Sequence, residues 1–167
     1  MGLVPQELFD AYDYFVDDMI NSSFGVNCKL IYPAIKTTCI NCIYDTFNNK
    51  STNIYNGTGP QPFTFGICPW CNGLGFTETP QTETIKLRIY YAHKHWVKLA
   101  SMINVPDGTV QACGFLSDFP KIMQSQKMLI NSDVAGYSNF IYKLWGEPVT
   151  SGFSNSRYLI SMWNRSS

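Results

Sequence analysis

Four cysteines in two matched turns, Cys39-x2-Cys42 and Cys68-x2-Cys71, constrain this chain more than any other feature. Each CxxC turn aims two thiolates at one point, and two such turns supply the four soft ligands of a tetrahedral Zn²⁺ site. The 25 residues between the pairs exceed the roughly 15–20 usual in a ribbon. Loop closure grows only logarithmically with length, so the excess costs about 0.3 kcal/mol. A structural zinc contributes on the order of 10 kcal/mol to a small domain, which dwarfs that cost. Gly73 and Gly75 follow the second pair in "ICPWCNGLGF". Glycine there permits the backbone angles that point amides at thiolate sulfurs. A redox dithiol needs only one CxxC, normally opening a helix, and Asn72-Gly-Leu-Gly75 starts a helix poorly. The expectation is a structural Zn²⁺ held by Cys39, Cys42, Cys68 and Cys71. Four thiolates close the coordination sphere and leave no position for a catalytic water. Cys28 and Cys113 fall in strand-like runs and are expected to be small core residues.

The redox compartment agrees with metal rather than disulfide. "MGLVPQELFD" has neither the basic start nor the apolar run of a secretory signal. No segment approaches the ~20 apolar residues of a membrane span. The expectation is therefore a reducing cytosol during folding, no membrane, and reduced thiols.

At 167 residues the chain suits one domain with a sizeable core. It carries 24 charged side chains against 25 aromatic ones, a composition opposite to that of disordered chains. So apolar a chain leaves more hydrophobic surface than a monomer normally shows, which points to assembly. The zero net charge hides an asymmetry. Five acids lie between Glu7 and Asp18, whereas Lys86, Arg88, Lys94 and Lys98 form a basic run with His93 and His95. Two solvated faces explain this, and so would head-to-tail packing of identical subunits.

Along the chain, Leu8, Phe9, Tyr12, Phe15, Val16, Met19 and Ile20 recur at helical spacing opposite Asp10, Asp13, Asp17 and Asp18. Pro5 and Gly25 bracket that helix. Val26–Tyr32 reads as a strand stopped by Pro33. From 36 to 84 the Asn-, Thr-, Gly- and Pro-rich chain has little apolar period, and a loop this long needs something to order it. It reads as a zinc-binding insertion or extended hairpin. Alternation resumes at Ile85, Leu87, Ile89 and Tyr91. Further strands are expected at Gly108–Phe115, Lys127–Ile130, Phe140–Trp145 and Arg157–Trp163. A short helix capped by Ser117 or Asp118 is expected in "SDFPKIMQ". The fold class is α+β, mainly β: one N-terminal helix, a small antiparallel sheet or barrel, and a zinc-stabilised insertion.

No catalytic constellation emerges. The chain has no G-x-S-x-G, HExxH or P-loop. Its two histidines lack a third ligand, and the helix aspartates lack a partner base. A non-enzymatic role is expected.

"CPWCNGLGF" resembles one copy of the CxxCxGxG repeat of J-protein co-chaperones, which carry four. Three longer stretches resemble the neck proteins of tailed bacteriophages, the head–tail connector or head-closure (stopper) type. "LFDAYDYFVDDMINSSFGVNCKLIYP" is similar to that family's opening helix and first strand. "DGTVQACGFLSDFPKIMQSQKMLIN" is similar to its middle strands and short Pro-containing helix. "GFSNSRYLISMWNR" is similar to its closing strand. The resemblance implies one connector-like domain over 1–167, interrupted by the 36–84 insertion. It implies a six- or twelve-fold ring in the virion neck, assembled in the host cytoplasm. That ring would touch portal or adaptor protein and tail proteins, and close the DNA channel. Lys86, Arg88, Lys94 and Lys98 would then be channel or subunit-contact charges, with sequence-blind attraction for packaged DNA. Two other classes stay open at this point. A nucleic-acid-binding zinc-ribbon regulator fits the basic strand and Trp70 but not the zero net charge. A chaperone-like peptide binder rests on CxxCxGxG alone.

Overall fold

In a computed structural model, the protein is described over residues 5–22, 24–91, 108–131, 140–152 and 156–166. The chain divides into two compact units, one of Met1–Tyr32 with Thr82–Ser167, the other of Pro33–Gln81. The second unit thus lies three residues earlier at each end than the 36–84 expected.

The first unit opens with α1, Gln6–Asn21, entered through Pro5. Its strands are β1 (Val26–Thr38), β4 (Phe76–Tyr90), β5 (Val110–Phe115), β6 (Lys127–Asn131), β7 (Ile141–Ser151) and β8 (Tyr158–Arg165). They close an antiparallel barrel in the order β1-β4-β5-β8-β7-β6, sealed by β6 pairing back to β1. Closure leaves none of the six as an unpaired edge. Every strand presents alternate residues inward: Cys28 and Leu30, Ile85 to Ile89, Val110 and Ala112, Met128 and Ile130. Trp163 and Tyr142 are the largest core side chains. The Trp163 indole N–H donates to Ser161 Oγ (2.9 Å), and the Ser161 hydroxyl donates to the Ala112 carbonyl (3.4 Å). That relay satisfies polar atoms which would otherwise be buried at a cost of about 1–3 kcal/mol each.

Between β5 and β6 a 3-10 turn, Leu116–Asp118, leads into α2, Phe119–Gln124. α2 delivers the fully buried Ile122 to the core. The expected side-chain cap is not made. Asp118 instead lies 3.5 Å from Lys121 Nζ, and Lys121 bonds Glu83 at 2.7 Å. Glu83 also accepts from the Tyr32 hydroxyl at 3.0 Å. Hydrogen bonds from Lys121 and then Tyr32 hold the Glu83 carboxyl below its ordinary value. A depressed carboxylate stabilises the fold above its unfolded pKa, and that contribution fades as pH falls through the folded value. Below about pH 5 the wild type should therefore lose urea resistance faster than Glu83→Gln, whose side chain does not titrate. Parallel urea midpoints from pH 6 to pH 3 would exclude Glu83 from the acid response.

β4 begins at Phe76, well before the alternation expected from Ile85, and β1 and β7 outrun the sequence reading through prolines, each for a positional reason. Ile31 accepts a backbone bond from Gln126, and the β1–β6 register ends at Ile31↔Lys127. Two residues on, Pro33 turns its missing N–H to the same side, where β6 has already ended, so no ladder bond is lost. β7 passes Gly146 (φ +74°) and Pro148 through a bulge between Trp145 and Val149, then pairs again with β8. A bulge is where a sheet tolerates proline.

α1 lies on the outer face of β4, β5 and β8. Tyr158 donates its hydroxyl to the Asp13 carbonyl (2.9 Å) and Asp17 Oδ1 (2.8 Å), while Arg157 pairs with Asp17 at 2.6 Å. The helix ends at its C-cap Ser22, and beyond it the chain folds back so tightly at Gly25 that a Cβ there would collide with the Ile20 carbonyl oxygen. Under α1 remains a cavity of about 320 Å³ lined by Tyr12, Met19, Arg88, Cys113 and Ile160 among others. Among the described residues no helix is long and apolar enough to cross a membrane.

In the second unit, β2 (Cys42–Asp45) and β3 (Lys50–Tyr55) form a two-stranded sheet. Neither strand was legible in the sequence. Asp45 turns the chain between them by accepting from the Phe47 and Asn48 amides (2.9 and 3.3 Å). The distal ends of β1 and β4 meet here too, through the Thr37 and Thr77 hydroxyls (2.9 Å) and the Lys36–Glu78 pair (3.5 Å).

Candidate metal centre

The four expected ligands converge. The Sγ atoms of Cys39, Cys42, Cys68 and Cys71 all lie within 4.8 Å of one another, and all four residues are buried. Cys39 Sγ stands 4.0 Å from Cys68 Sγ, and Cys42 Sγ 3.6 Å from Cys71 Sγ. A tetrahedron of ~2.3 Å metal–sulfur bonds has edges of ~3.8 Å. The cluster therefore has the size a single ion requires, and it can hold one. The donor set is all sulfur and fully enclosed, which suits a structural metal.

The turns that present these thiols are ordered by the metal site's own surroundings rather than by a large apolar core. Phe63 is the hydrophobic residue packed against the cysteines, and it meets Tyr55 edge-on at 6.0 Å. Cys42 leads β2, while Cys39 follows β1 and donates its N–H to the Gly75 carbonyl (2.9 Å). Gly75 in turn donates its N–H to Cys71 Sγ (3.2 Å). Its φ is +81°, and a Cβ would lie 2.6 Å from the Ser51 nitrogen. Conformation and space both demand glycine at that position. Gly73 shares the positive φ (+81°) but hands its carbonyl to the Ser51 N–H (3.3 Å). The expectation that both glycines aim amides at sulfur is met by Gly75.

Asn41 is the site residue that sequence reasoning missed. It lies inside the first turn and is 0% exposed. Its N–H donates to Cys39 Sγ (3.4 Å), and its side-chain amide to Cys68 Sγ (3.6 Å) and the Gln61 carbonyl (2.8 Å). Its Oδ1 accepts from the Gln61 N–H (2.8 Å). Gly59 closes over it, with room for no Cβ: Asn41 Cα would stand 2.4 Å away. One side chain therefore staples the 59–61 loop to both halves of the cluster. An Asn within CxxC was the only available signal, and it means nothing until the loop is placed.

Burial raises the Cys39 thiol, and it pushes Cys42 up to about 12. Burial also opposes ionisation of Cys68, but the Cys71 N–H, the Asn41 amide and the Trp70 N–H together bring that thiol down to about 6. Cys68 is thus the thiol best prepared to carry negative charge, and its donors come from both turns. Cys28 and Cys113 lie apart from the cluster, raised by burial to about 12 and about 11. Cys28 is a core residue, as expected, whereas Cys113 points out of the barrel, half-buried beneath α1, because it falls on the outward positions of β5; a raised thiol is inert in either place.

The expected channel or subunit-contact charges divide. Lys86 and Arg88 stand on β4, half-buried. Lys86 Nζ donates to the Asn21 carbonyl at the end of α1, and Arg88 to the Phe24 carbonyl (2.9 Å). α1 has no basic residue in its last turn, so β4 supplies the cation that its C-terminal carbonyls favour. Lys94, Lys98, His93 and His95 lie outside the described residues.

No protein-family model, curated protein or solved structure matches this chain.

Proposed function

We propose that the protein is a non-enzymatic structural component of a bacteriophage neck, acting as a ring between portal and tail, with Zn²⁺ as its metal. One observation supports this above the others. The three stretches that resemble neck proteins fall outside Pro33–Gln81 except at the end of the first, and they supply the helix and four of the six strands of one barrel, β1, β5, β6 and β8. The first and last are bolted together by Arg157 and Tyr158 on Asp13 and Asp17. The resemblance therefore falls within one compact unit rather than on scattered words. Zinc is favoured because a closed four-sulfur tetrahedron without an open position is its usual structural site.

The regulator reading draws on exposed aromatics of the second unit, Phe47 and Phe65. It lacks the charge to hold phosphates there. Lys36 and Lys50 are balanced by Asp45 and Glu78, the only other charged residues from 33 to 81. Deleting the gene should yield heads that package DNA and then lose it, or fail to join tails, with viral transcription unchanged. Complete, infectious particles without the protein would refute the neck role, and altered transcription would favour the regulator.

A further inference from the structure

The acidic helix and the basic strand Lys86–Arg88 cannot be the complementary surfaces of neighbouring subunits, because within one chain Lys86 and Arg88 already serve α1. The barrel carries another basic surface. On β1 the inward residues are Cys28 and Leu30, so Asn27, Lys29 and Ile31 point outward. On β6 Met128 and Ile130 point inward, leaving Lys127, Leu129 and Asn131 outside. On β7 Tyr142 is inward, with Ile141 and Lys143 outside. Register makes these positions one surface. Leu129 stands between Lys29 and Ile141, and Lys127 is opposite Ile31. Three lysines thus surround an aliphatic centre of Ile31, Leu129 and Ile141. No acid occupies an outward position in these segments. Among the described residues none of the three lysines forms an ion pair.

α1 offers the converse. Asp13 and Asp17 are used by Arg157 and Tyr158. Glu7, Asp10 and Asp18 remain on its exposed side and form no ion pair among the described residues. Tyr14 stands among them, 76% exposed, and Leu8 and Phe15, 60% and 61% exposed, line the adjoining flank of the helix, where Phe15 also reaches the cavity beneath it. Three acids beside an exposed apolar flank match three lysines beside an aliphatic one.

The faces are also placed on opposite walls. α1 covers β4, β5 and β8, centred on β5, and the lysine face is centred on β6. In the strand order, two strands separate β5 from β6 in either direction around the six-stranded barrel. The two patches of one chain therefore cannot meet each other.

We infer that copies of this chain associate head to tail, the α1 face of one docking on the β1–β6–β7 face of the next. Different patches meeting in this way make a heterologous interface, which closes into a ring or continues as a filament. The apolar centres supply the buried surface, and the charges set register and exclude the like-to-like pairing. The inference rests on the assembly reading above in that it needs self-association, but not on the neck.

The test is a charge exchange in the full-length protein, with mass followed by sedimentation velocity at low and high salt. One variant carries Glu7→Lys, Asp10→Lys and Asp18→Lys; the other carries Lys29→Glu, Lys127→Glu and Lys143→Glu. Wild type should assemble. Each variant alone presents like charges on both faces, so its half-assembly concentration should rise by roughly a hundredfold. An equimolar mixture should assemble again, in alternation, because every junction regains opposite signs. Leu8→Ser with Phe15→Ser leaves every charge in place and should dissociate wild-type assemblies as well. If both charge variants, or the Leu8–Phe15 variant, assemble like wild type, these faces are not the interface, while the ring reading stands. A wild type that stays monomeric across the micromolar range overturns the inference and the ring together.

Discussion

Cys68→Ser is expected to abolish stoichiometric metal binding and unfold Pro33–Gln81, while the barrel keeps its cooperative transition. Cys68 has three effects concentrated on one sulfur. It would be a metal ligand, standing 4.0 Å from Cys39, it accepts the Asn41 amide, and its hydrogen bonds bring it down to about 6. A serine hydroxyl is a poor zinc ligand in a sulfur site, and its shorter reach leaves the ion three-coordinate. The second unit has little to fall back on. Its buried hydrophobic cluster consists of the four cysteines, with Phe63 packed against them. Structural zinc is worth on the order of 10 kcal/mol to such a fold, more than a two-stranded sheet can replace. The barrel has its own core of thirteen buried residues and does not share this dependence. Elemental analysis of wild type should give one zinc per chain, and amide exchange of Cys68→Ser should show rapid exchange from 33 to 81 with protected barrel strands. Wild type free of zinc after chelator-free purification would sink the zinc assignment. Barrel strands that lost protection in the variant would show that the two units fold as one.

Trp163→Ala should have the complementary effect. Trp163 is fully buried at the centre of β8, paired with Val110 on one side and Leu144 on the other. Truncating a buried Trp costs about 3–5 kcal/mol, the lost burial plus the cavity left behind. The Ser161 hydroxyl also loses the indole donor it accepts. Against the 5–15 kcal/mol that typically stabilises a domain, the loss is a large fraction. Urea denaturation followed by barrel tyrosine signals should show the midpoint falling steeply at constant slope. Metal stoichiometry before the transition should remain that of wild type. A shift equivalent to less than about 1 kcal/mol would mean that the core collapses readily into the space.

How much of this could be read from the chain depends on the range of the interaction involved. α1 was legible because its apolar and acidic residues alternate at a local helical period, and Pro5 and Gly25 mark its ends. The cores of β1, β4, β5, β6 and β8 were legible through period-two alternation, which a half-buried strand needs wherever it lies. The cysteine cluster was legible because coordination chemistry sets both the residue type and the spacing within each turn of a metal site.

What stayed hidden depended on partners distant in sequence. β2 and β3 have no apolar alternation because the buried cluster of their unit is made of cysteines rather than aliphatic side chains, so nothing in "CIYDTFNNKSTNIY" advertises a sheet. Pro33 stops a strand only where a neighbour needs its N–H, and whether β6 reaches that far is decided by pairing between residues 31 and 127. Asn41 organises the metal centre only once Gln61 and Cys68 have come to it. The charges give the clearest case. The sequence by itself determined that one helix is acidic and that residues 86 and 88 are basic. Barrel closure alone decided that those two bases cap the helix from the same wall, leaving Lys29, Lys127 and Lys143 together on the opposite one, because strands far apart in the chain became neighbours in the sheet.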